Sequence, residues 1–184
     1  QYAKIDKDCT ILEFMKSAYK ELYKIENELS ALYADVDNLE KNWAIITQYQ
    51  NRLDAANFYQ IDTSVDKIAN GLGLTAMGLN SKISEISGGQ RAKVILAKLL
   101  LKDPDVLLLD EPTNFLDVQH IDWLAEYLSE SKRAFMVVSH DYAFLERISN
   151  CICDVDNGEM RKYVGKFSDY IKQRDHAKED YRRR

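Results

Sequence analysis

From Leu22 onward the apolar positions are Leu22, Ile25, Leu29, Leu32, Val36, Leu39, Trp43, Ile46 and Leu53, with charged residues between them. Steps of three and four place these side chains on one stripe of a helix. Ala34-Asp35-Val36-Asp37 interrupts the stripe with weak helix formers. Asp37 followed by Glu40 three residues later reads as a capping box that restarts the helix. The pattern therefore predicts a helical hairpin, with one helix over about 10–33 and a second over about 38–57. A shorter helix follows Thr63 and stops at Gly71-Leu72-Gly73.

Beyond Ser81 the pattern changes. Gly88-Gly89 opens a helix that runs to about residue 101, and Lys102-Asp103-Pro104-Asp105 closes it. Residues 106–109 and 134–138 are continuous apolar runs, the signature of strands buried on both faces of a sheet. A helix over about 118–128 lies between them with Asp117 at its cap, and a short helix starts near residue 142. Residues 151–155 and 159–164 flank Asn157-Gly158, a strong two-residue hairpin signal. Strands alternating with helices predict an α/β layer with parallel strands. No repeat with a period of 20–50 residues is present.

Composition adds limits. The 184 residues are 46% hydrophobic and 30% charged, with 7 Gly and 2 Pro, a globular mixture without a flexible linker tract. No uncharged run approaches the roughly 18 apolar residues of a membrane span, and the N-terminus lacks a secretory signal. The three cysteines, Cys9, Cys151 and Cys153, are too few for a disulfide framework or a zinc site, which points to buried packing in a reducing compartment. The net charge of −5 is unevenly spread: residues 161–184 hold nine Lys/Arg against four Asp/Glu, a balance of +5, and the rest carries −10. A basic tail on an acidic body places any polyanion contact near the C-terminal end, although a solvated helix of mixed charge fits equally well.

Three short segments carry candidate chemistry. Val106-Leu107-Leu108-Leu109-Asp110-Glu111 puts two carboxylates at the carboxyl end of a strand, where α/β sheets bind ligands. Such an Asp can hold the water shell of Mg²⁺, and such a Glu can orient or deprotonate a water that attacks a phosphate. A strand simply reaching solvent has the same sequence. Ile86-Ser87-Gly88-Gly89-Gln90 opens a helix with backbone N–H groups and a hydroxyl able to meet an anion, or serves as an ordinary N-cap. Ser139-His140-Asp141 follows the second strand, where a histidine can contact a terminal phosphate or merely cap a helix. His120 and His176 have no such context and read as surface residues.

Taken together and in this order, the segments resemble the second half of an ATP-binding cassette (ABC) ATPase. Ile86-Ser87-Gly88-Gly89-Gln90 resembles the signature loop, with Ile where Leu is usual. The run ending in Asp110-Glu111 resembles Walker B, Phe115-Leu116-Asp117 lies in the D-loop, and His140 stands as the switch histidine. Glu111-Pro112-Thr113-Asn114-Phe115-Leu116-Asp117 is similar to the EPTNHLD of the F subfamily, soluble two-cassette proteins that act on ribosomes, with Phe115 replacing the usual His. Tyr163-Val164-Gly165-Lys166-Phe167-Ser168-Asp169-Tyr170 resembles the segment that leads into that subfamily's interdomain linker. No G-x-x-x-x-G-K-[ST] occurs. Thr10-Ile11-Leu12-Glu13 fits the stretch after the Q-loop, and Gln1 falls where the Q-loop glutamine stands, so the stretch is expected to begin at the Q-loop.

The resemblance implies a mixed α/β fold: part of a P-loop NTPase ABC cassette, a parallel sheet with flanking helices, plus an α-helical arm and signature subdomain. It divides the chain into a helical region with the hairpin arm (1–82), the second part of the ATPase core (83–165) and the start of a basic linker (166–184). It implies ATP and Mg²⁺ as cofactors. Glu111 and His140 would be catalytic, Asp110 and Gln1 would serve the metal, and Gln1, Ser87, Gly88, Gly89, Gln90 and Asp117 would serve the nucleotide. Ser87, Gly88 and Gly89 would grip ATP held by the second cassette of the same chain. The implied role is that of a cytoplasmic translation factor or antibiotic-resistance protein. It would meet the ribosome, through rRNA or tRNA, by its linker and arm, and no transmembrane domain is expected. Lys172, Arg174, Lys178, Arg182, Arg183 and Arg184 are the candidate RNA contacts. Three rivals remain: the C-terminal lobe of a chromosome-maintenance or DNA-repair ATPase, a transporter's nucleotide-binding subunit, and a non-catalytic interaction module. The first would carry a longer unbroken coil, and the second a surface for membrane coupling helices.

Overall fold

A computed structural model of the protein describes residues 8–182. The chain divides into two compact units, Gln1–Pro104 and Asp105–Arg184. In the first, α1 (Ile11–Lys16) opens with a capping box: the Glu13 amide donates to Thr10 Oγ1 at 3.1 Å, and the Thr10 amide donates to Glu13 Oε2 at 2.8 Å. A 3-10 turn at Ser17–Tyr19 then separates α1 from α2 (Lys20–Ala34), so the single helix predicted over 10–33 is broken. Ser17 Oγ donates to the Phe14 carbonyl. A serine bonded back to its own helix in this way competes with the backbone ladder, which is invisible to apolar periodicity.

The hairpin itself forms as predicted. α3 (Leu39–Ala55) packs against α2 around buried Ile25, Leu29, Ile46 and Leu53, with Leu22, Leu32, Leu39, Tyr49 and Phe58 alongside. The expected capping box of Asp37 and Glu40 does not form. A 3-10 turn at Val36–Asn38 precedes α3, and the cap position belongs to Asn38, whose amide is tied to the Asp35 carboxylate at 3.0 and 3.1 Å. Val36 and Trp43, members of the predicted stripe, are exposed at 72% and 62%. They lie at the turn end of the hairpin, beyond the four residues that form its buried core. α4 (Ile61–Gly71) begins two residues before Thr63 and ends at the predicted glycines, burying Ile61, Val65, Ile68 and Ala69. α5 (Gly88–Leu101) packs on α1 and α4 through an apolar face that includes Val94, Ala97 and Leu100. Near its end the Lys98 ammonium lies 4.2 Å above the Phe14 ring, and burial pushes its pKa below the ordinary lysine value.

The second unit carries the strands. β1 (Val106–Asp110) and β2 (Ala134–Val138) pair in parallel from Val106↔Ala134 to Asp110↔Val138, with α6 (Val118–Glu130) between them in sequence. The expectation that both strands are buried on both faces fails. Leu107 and Leu109 are buried, whereas Val106, Leu108, Met136 and Val138 lie on an open face. Successive side chains of a strand point to opposite sides, and among the described residues only one side is covered.

α7 (Tyr142–Ile148) leads to β3 (Cys151–Asp156) and β4 (Glu159–Val164), an antiparallel hairpin in the predicted register. Asn157 and Gly158 have φ of +50° and +80°, as a two-residue hairpin loop with both central residues left-handed requires. The cysteines are not the buried packing residues expected: Cys153 is exposed, and Cys9 and Cys151 are half-buried.

α8 (Phe167–Arg182) closes the unit. Just before it, Gly165 has φ of +120°, and an added Cβ would lie 2.7 Å from Asp169 Oδ2, the oxygen that accepts the Lys166 amide at 3.0 Å. Gly165→Ala is therefore expected to destabilise the protein by about 1–3 kcal/mol, read by thermal unfolding, since it combines backbone strain with a clash against a capping carboxylate.

Candidate functional site

The carboxyl ends of β1 and β2 bring together three of the residues singled out by the sequence. Asp110 is exposed at the end of β1, in register with Val138. Glu111 follows with φ of +45°, a left-handed conformation that costs a non-glycine residue about 1–2 kcal/mol. What holds it there is visible. Its amide donates to the Val138 carbonyl at 2.8 Å, carrying the pairing one residue past the strand, and its carbonyl accepts from the Asn114 amide at 3.3 Å. The reversal turns the side chain towards the loop after β2. Glu111 Oε2 accepts the His140 backbone amide at 3.3 Å, and Oε1 lies 3.6 Å from His140 Nε2. The Glu111 side chain is 23% exposed and that of His140 is 92% exposed. A sheltered carboxylate is thus joined to an imidazole that projects into solvent.

The loop that presents His140 is braced on both sides. Ser139 Oγ accepts the Asp141 amide at 3.0 Å, and Asp141 Oδ1 accepts the Phe144 amide at 2.9 Å, capping α7. After Glu111 the chain runs through buried Thr113 and exposed Phe115 to Asp117 at the N-cap of α6. Asp117 does not cap the helix with its side chain. Its carboxylate lies 3.5 Å from Nδ1 of His120, whose side chain is only 13% exposed. His120 is therefore not the surface residue expected. The spacing of three residues across a helix start was the available signal, since it puts both side chains on one face. His176 is exposed, as expected.

Ser87, Gly88, Gly89 and Gln90 lie in the first unit, at the start of α5. Ser87 Oγ accepts the Gln90 amide at 3.2 Å, and Gln90 Oε1 accepts the Ser87 amide at 2.9 Å. The serine is thus a true N-cap, yet its hydroxyl proton is still available to an anion. Gly88 faces open space, so a ligand can approach its backbone closely. Ser87→Ala is expected to cost about 0.5–2 kcal/mol of stability in chemical denaturation, the usual loss for an N-cap serine.

The first turn of α8 is pinned to α7 and to the β3–β4 hairpin. Tyr170 Oη donates to Asp154 Oδ2 at 2.9 Å, and burial, with that bond, raises its pKa above the ordinary tyrosine value. Of the expected basic contacts, Lys172 is exposed, while Arg174 lies 5.4 Å over the Tyr170 ring and 3.5 Å from Asp175. The side chains of Lys178 and Arg182, and all of Arg183, Arg184 and Gln1, lie outside the described residues.

The exposed carboxylate of Asp110 fits what Mg²⁺ needs, one or two carboxylates beside phosphates with most of its water retained. No closed cage of three or more ligating side chains exists among the described residues. No helix among them is long and apolar enough to cross a membrane.

Known proteins resemble this chain over most of its length. The chain is 44% identical to the ABC transporter ATP-binding protein YfmM of Bacillus subtilis over 176 residues, 93% of the chain and 34% of that protein. It is 33% identical to ABC transporter F family member 5 of Arabidopsis thaliana over 88% of the chain and 24% of that protein. It is 32% identical to the energy-dependent translational throttle protein EttA of Escherichia coli (strain K12) over 95% of the chain and 32% of that protein. The chain thus spans about a third or less of the length of these relatives. Among solved structures, an ATP-binding subunit of an ABC transporter superposes with a TM-score of 0.60 at 18% identity, covering 87% of this chain and 55% of that one. An RNase-L inhibitor superposes with a TM-score of 0.51 at 24% identity, covering 90% of this chain and 27% of that one. The fold is accordingly the mixed α/β fold of an ABC ATPase cassette. The family model described as ABC transporter matches residues 10–114, more than half of the sequence, and the chain belongs to that family as part of an ABC ATP-binding domain.

Proposed function

We propose that this chain is the signature- and Walker B-bearing part of an F-subfamily ABC ATPase, one that hydrolyses ATP to act on the ribosome. The observation that carries the reading is the junction of Glu111 with His140 at the sheet edge, beside the exposed carboxylate of Asp110. Glu111 orients a water and takes its proton. One N–H and one imidazole restrain its two oxygens, and lone pairs remain for the water. His140 projects from the same edge and donates to a phosphate oxygen, so loss of the terminal phosphate registers in the Glu111–His140 contact. Asp110 would hold Mg²⁺, which neutralises developing phosphate charge when bound. Ser87, Gly88, Gly89 and Gln90 form an anion-facing element for ATP held by another cassette, and Asp117, 3.5 Å from His120, lies at the border between cassettes. Gln1, which lies outside the described residues, would serve the metal and nucleotide by its resemblance to a Q-loop glutamine. In this reading residues 1–82 form the helical arm region, 83–165 the second part of the core and 166–184 the start of the linker.

The subfamily assignment draws on the string from Glu111 to Asp117 and on relatives named as an F family member and a translational throttle protein. The proposed partners are a second cassette of the same chain and the ribosome, met by the arm and the basic end of α8, in the cytoplasm. Contacts of Lys and Arg with phosphates are salt-dependent. The full-length protein is expected to sediment with ribosomes in an ATP-dependent manner, less as salt rises and less when Lys172, Lys178 and Arg182–Arg184 are neutralised. Binding indifferent to all three conditions removes the ribosomal role and favours a transporter subunit. The 184-residue chain by itself, without a G-x-x-x-x-G-K-[ST] loop, is expected not to turn over ATP.

A further inference from the structure

The Glu111–His140 contact depends on where the loop after β2 places His140. The imidazole is almost wholly solvent-exposed, so packing does not orient it. Its position follows from its own backbone and from the first turn of α7, which begins two residues later. That turn is tied on its outer side to α8. The Tyr142 and Phe167 rings stack with centroids 4.7 Å apart and planes 12° from parallel. One helical turn further along, Glu146 accepts both the Ser168 amide, at 2.7 Å, and the Ser168 hydroxyl, at 2.9 Å. Positions four apart share a helix face, so the stack and the carboxylate cap act on α8 together. α8 is anchored in turn: Phe167 touches Tyr170 at 5.6 Å, and Tyr170 meets Tyr163 at 5.0 Å and bonds Asp154. The Tyr142 ring is 59% exposed, so it serves little as core. Its stacking partner is the first residue of α8, and it stands two residues from His140.

We infer that Tyr142, Glu146, Phe167 and Ser168 form a positioning clamp through which the placement of α8 sets the Glu111–His140 contact. The inference rests on the proposed role of Glu111 and His140. Displacing α8 acts first on the amino end of α7, and the loop bearing His140 moves with it. None of the four touches substrate; each acts through His140.

The test uses the full-length protein with Phe167→Leu, which keeps an apolar side chain but removes the stack, Phe167→Tyr, which keeps the stack, and Ser168→Ala. Two quantities are read: ATPase kinetics, and the imidazole NMR signal of His140, assigned with His140→Gln. Phe167→Leu is expected to lower kcat about three- to tenfold with KM unchanged. It should also move the His140 signal towards its position in Glu111→Gln. Ser168→Ala should do the same to a smaller extent, and Phe167→Tyr should restore both readouts. A His140 signal and kcat that stay native in Phe167→Leu and Ser168→Ala overturn the clamp, as does a rise in KM at constant kcat. If Phe167→Leu fails to fold, Ser168→Ala and Phe167→Tyr decide by the same criteria. Turnover that survives Glu111→Gln defeats the proposed function instead, while the NMR signal still judges the clamp.

Discussion

Glu111→Gln in the full-length protein is expected to lower ATP turnover by about 10²–10⁴-fold while nucleotide binding persists. The substitution preserves shape and leaves the left-handed backbone at this position, which is held by the Glu111 amide on the Val138 carbonyl rather than by the side chain. What changes is chemical. An amide cannot take a proton from water, and only one of its two terminal atoms accepts a hydrogen bond. The carboxylate uses both oxygens, one towards the His140 amide and one towards the imidazole. The amide must spend its single acceptor oxygen on the His140 N–H and present its NH2 to the imidazole nitrogen, so the contact changes character as the base is removed. Phosphate release under saturating ATP, with binding measured separately at equilibrium, checks the prediction. Turnover within tenfold of the native rate would show that another group deprotonates the water.

Phe144→Ala is expected to cost about 3–5 kcal/mol. For a unit of this size each kcal/mol corresponds to about 4–8 °C in Tm. Phe144 is 1% exposed and is the largest fully buried side chain described. Its amide is the one that Asp141 caps, so the ring and the cap fix the same turn of α7. Removing the ring leaves a cavity that a helix of seven residues has little means to close. Phe144→Leu, which retains most of the volume, should lose no more than about 1.5 kcal/mol. Thermal unfolding of the two single variants distinguishes a packing role from a merely local one.

Local rules governed a large part of this chain, and those parts were readable in advance. Asn157-Gly158 dictates a turn with two left-handed residues, and the hairpin formed in the expected register. Ser87 caps the start of α5, one of the two readings its sequence allowed, and Gln90 returns the bond in a capping box not anticipated from the sequence. The stripe from Leu22 to Leu53 buried Ile25, Leu29, Ile46 and Leu53, away from the turn, because helical periodicity brings them to one face. Where a rule was local but contested, the reading went astray. Asp37 and Asn38 both suit a helix start, and Asn38, tied to Asp35, took the position. Ser17 broke a helix whose apolar spacing alone would have continued it.

Element types, turn chemistry and the candidate residues for phosphate chemistry were present in the order of the amino acids, because each pattern depends on neighbours a few positions apart. The meeting of Glu111 with His140, 29 residues away, was not, and neither was the stack of Tyr142 on Phe167. Both depend on parallel pairing of β1 with β2 and on the docking of α8, contacts made through space between elements whose separate patterns say nothing about each other. The same holds for the open faces of Leu108 and Met136: an apolar run announces a strand, but only the surrounding layers decide which of its sides is covered.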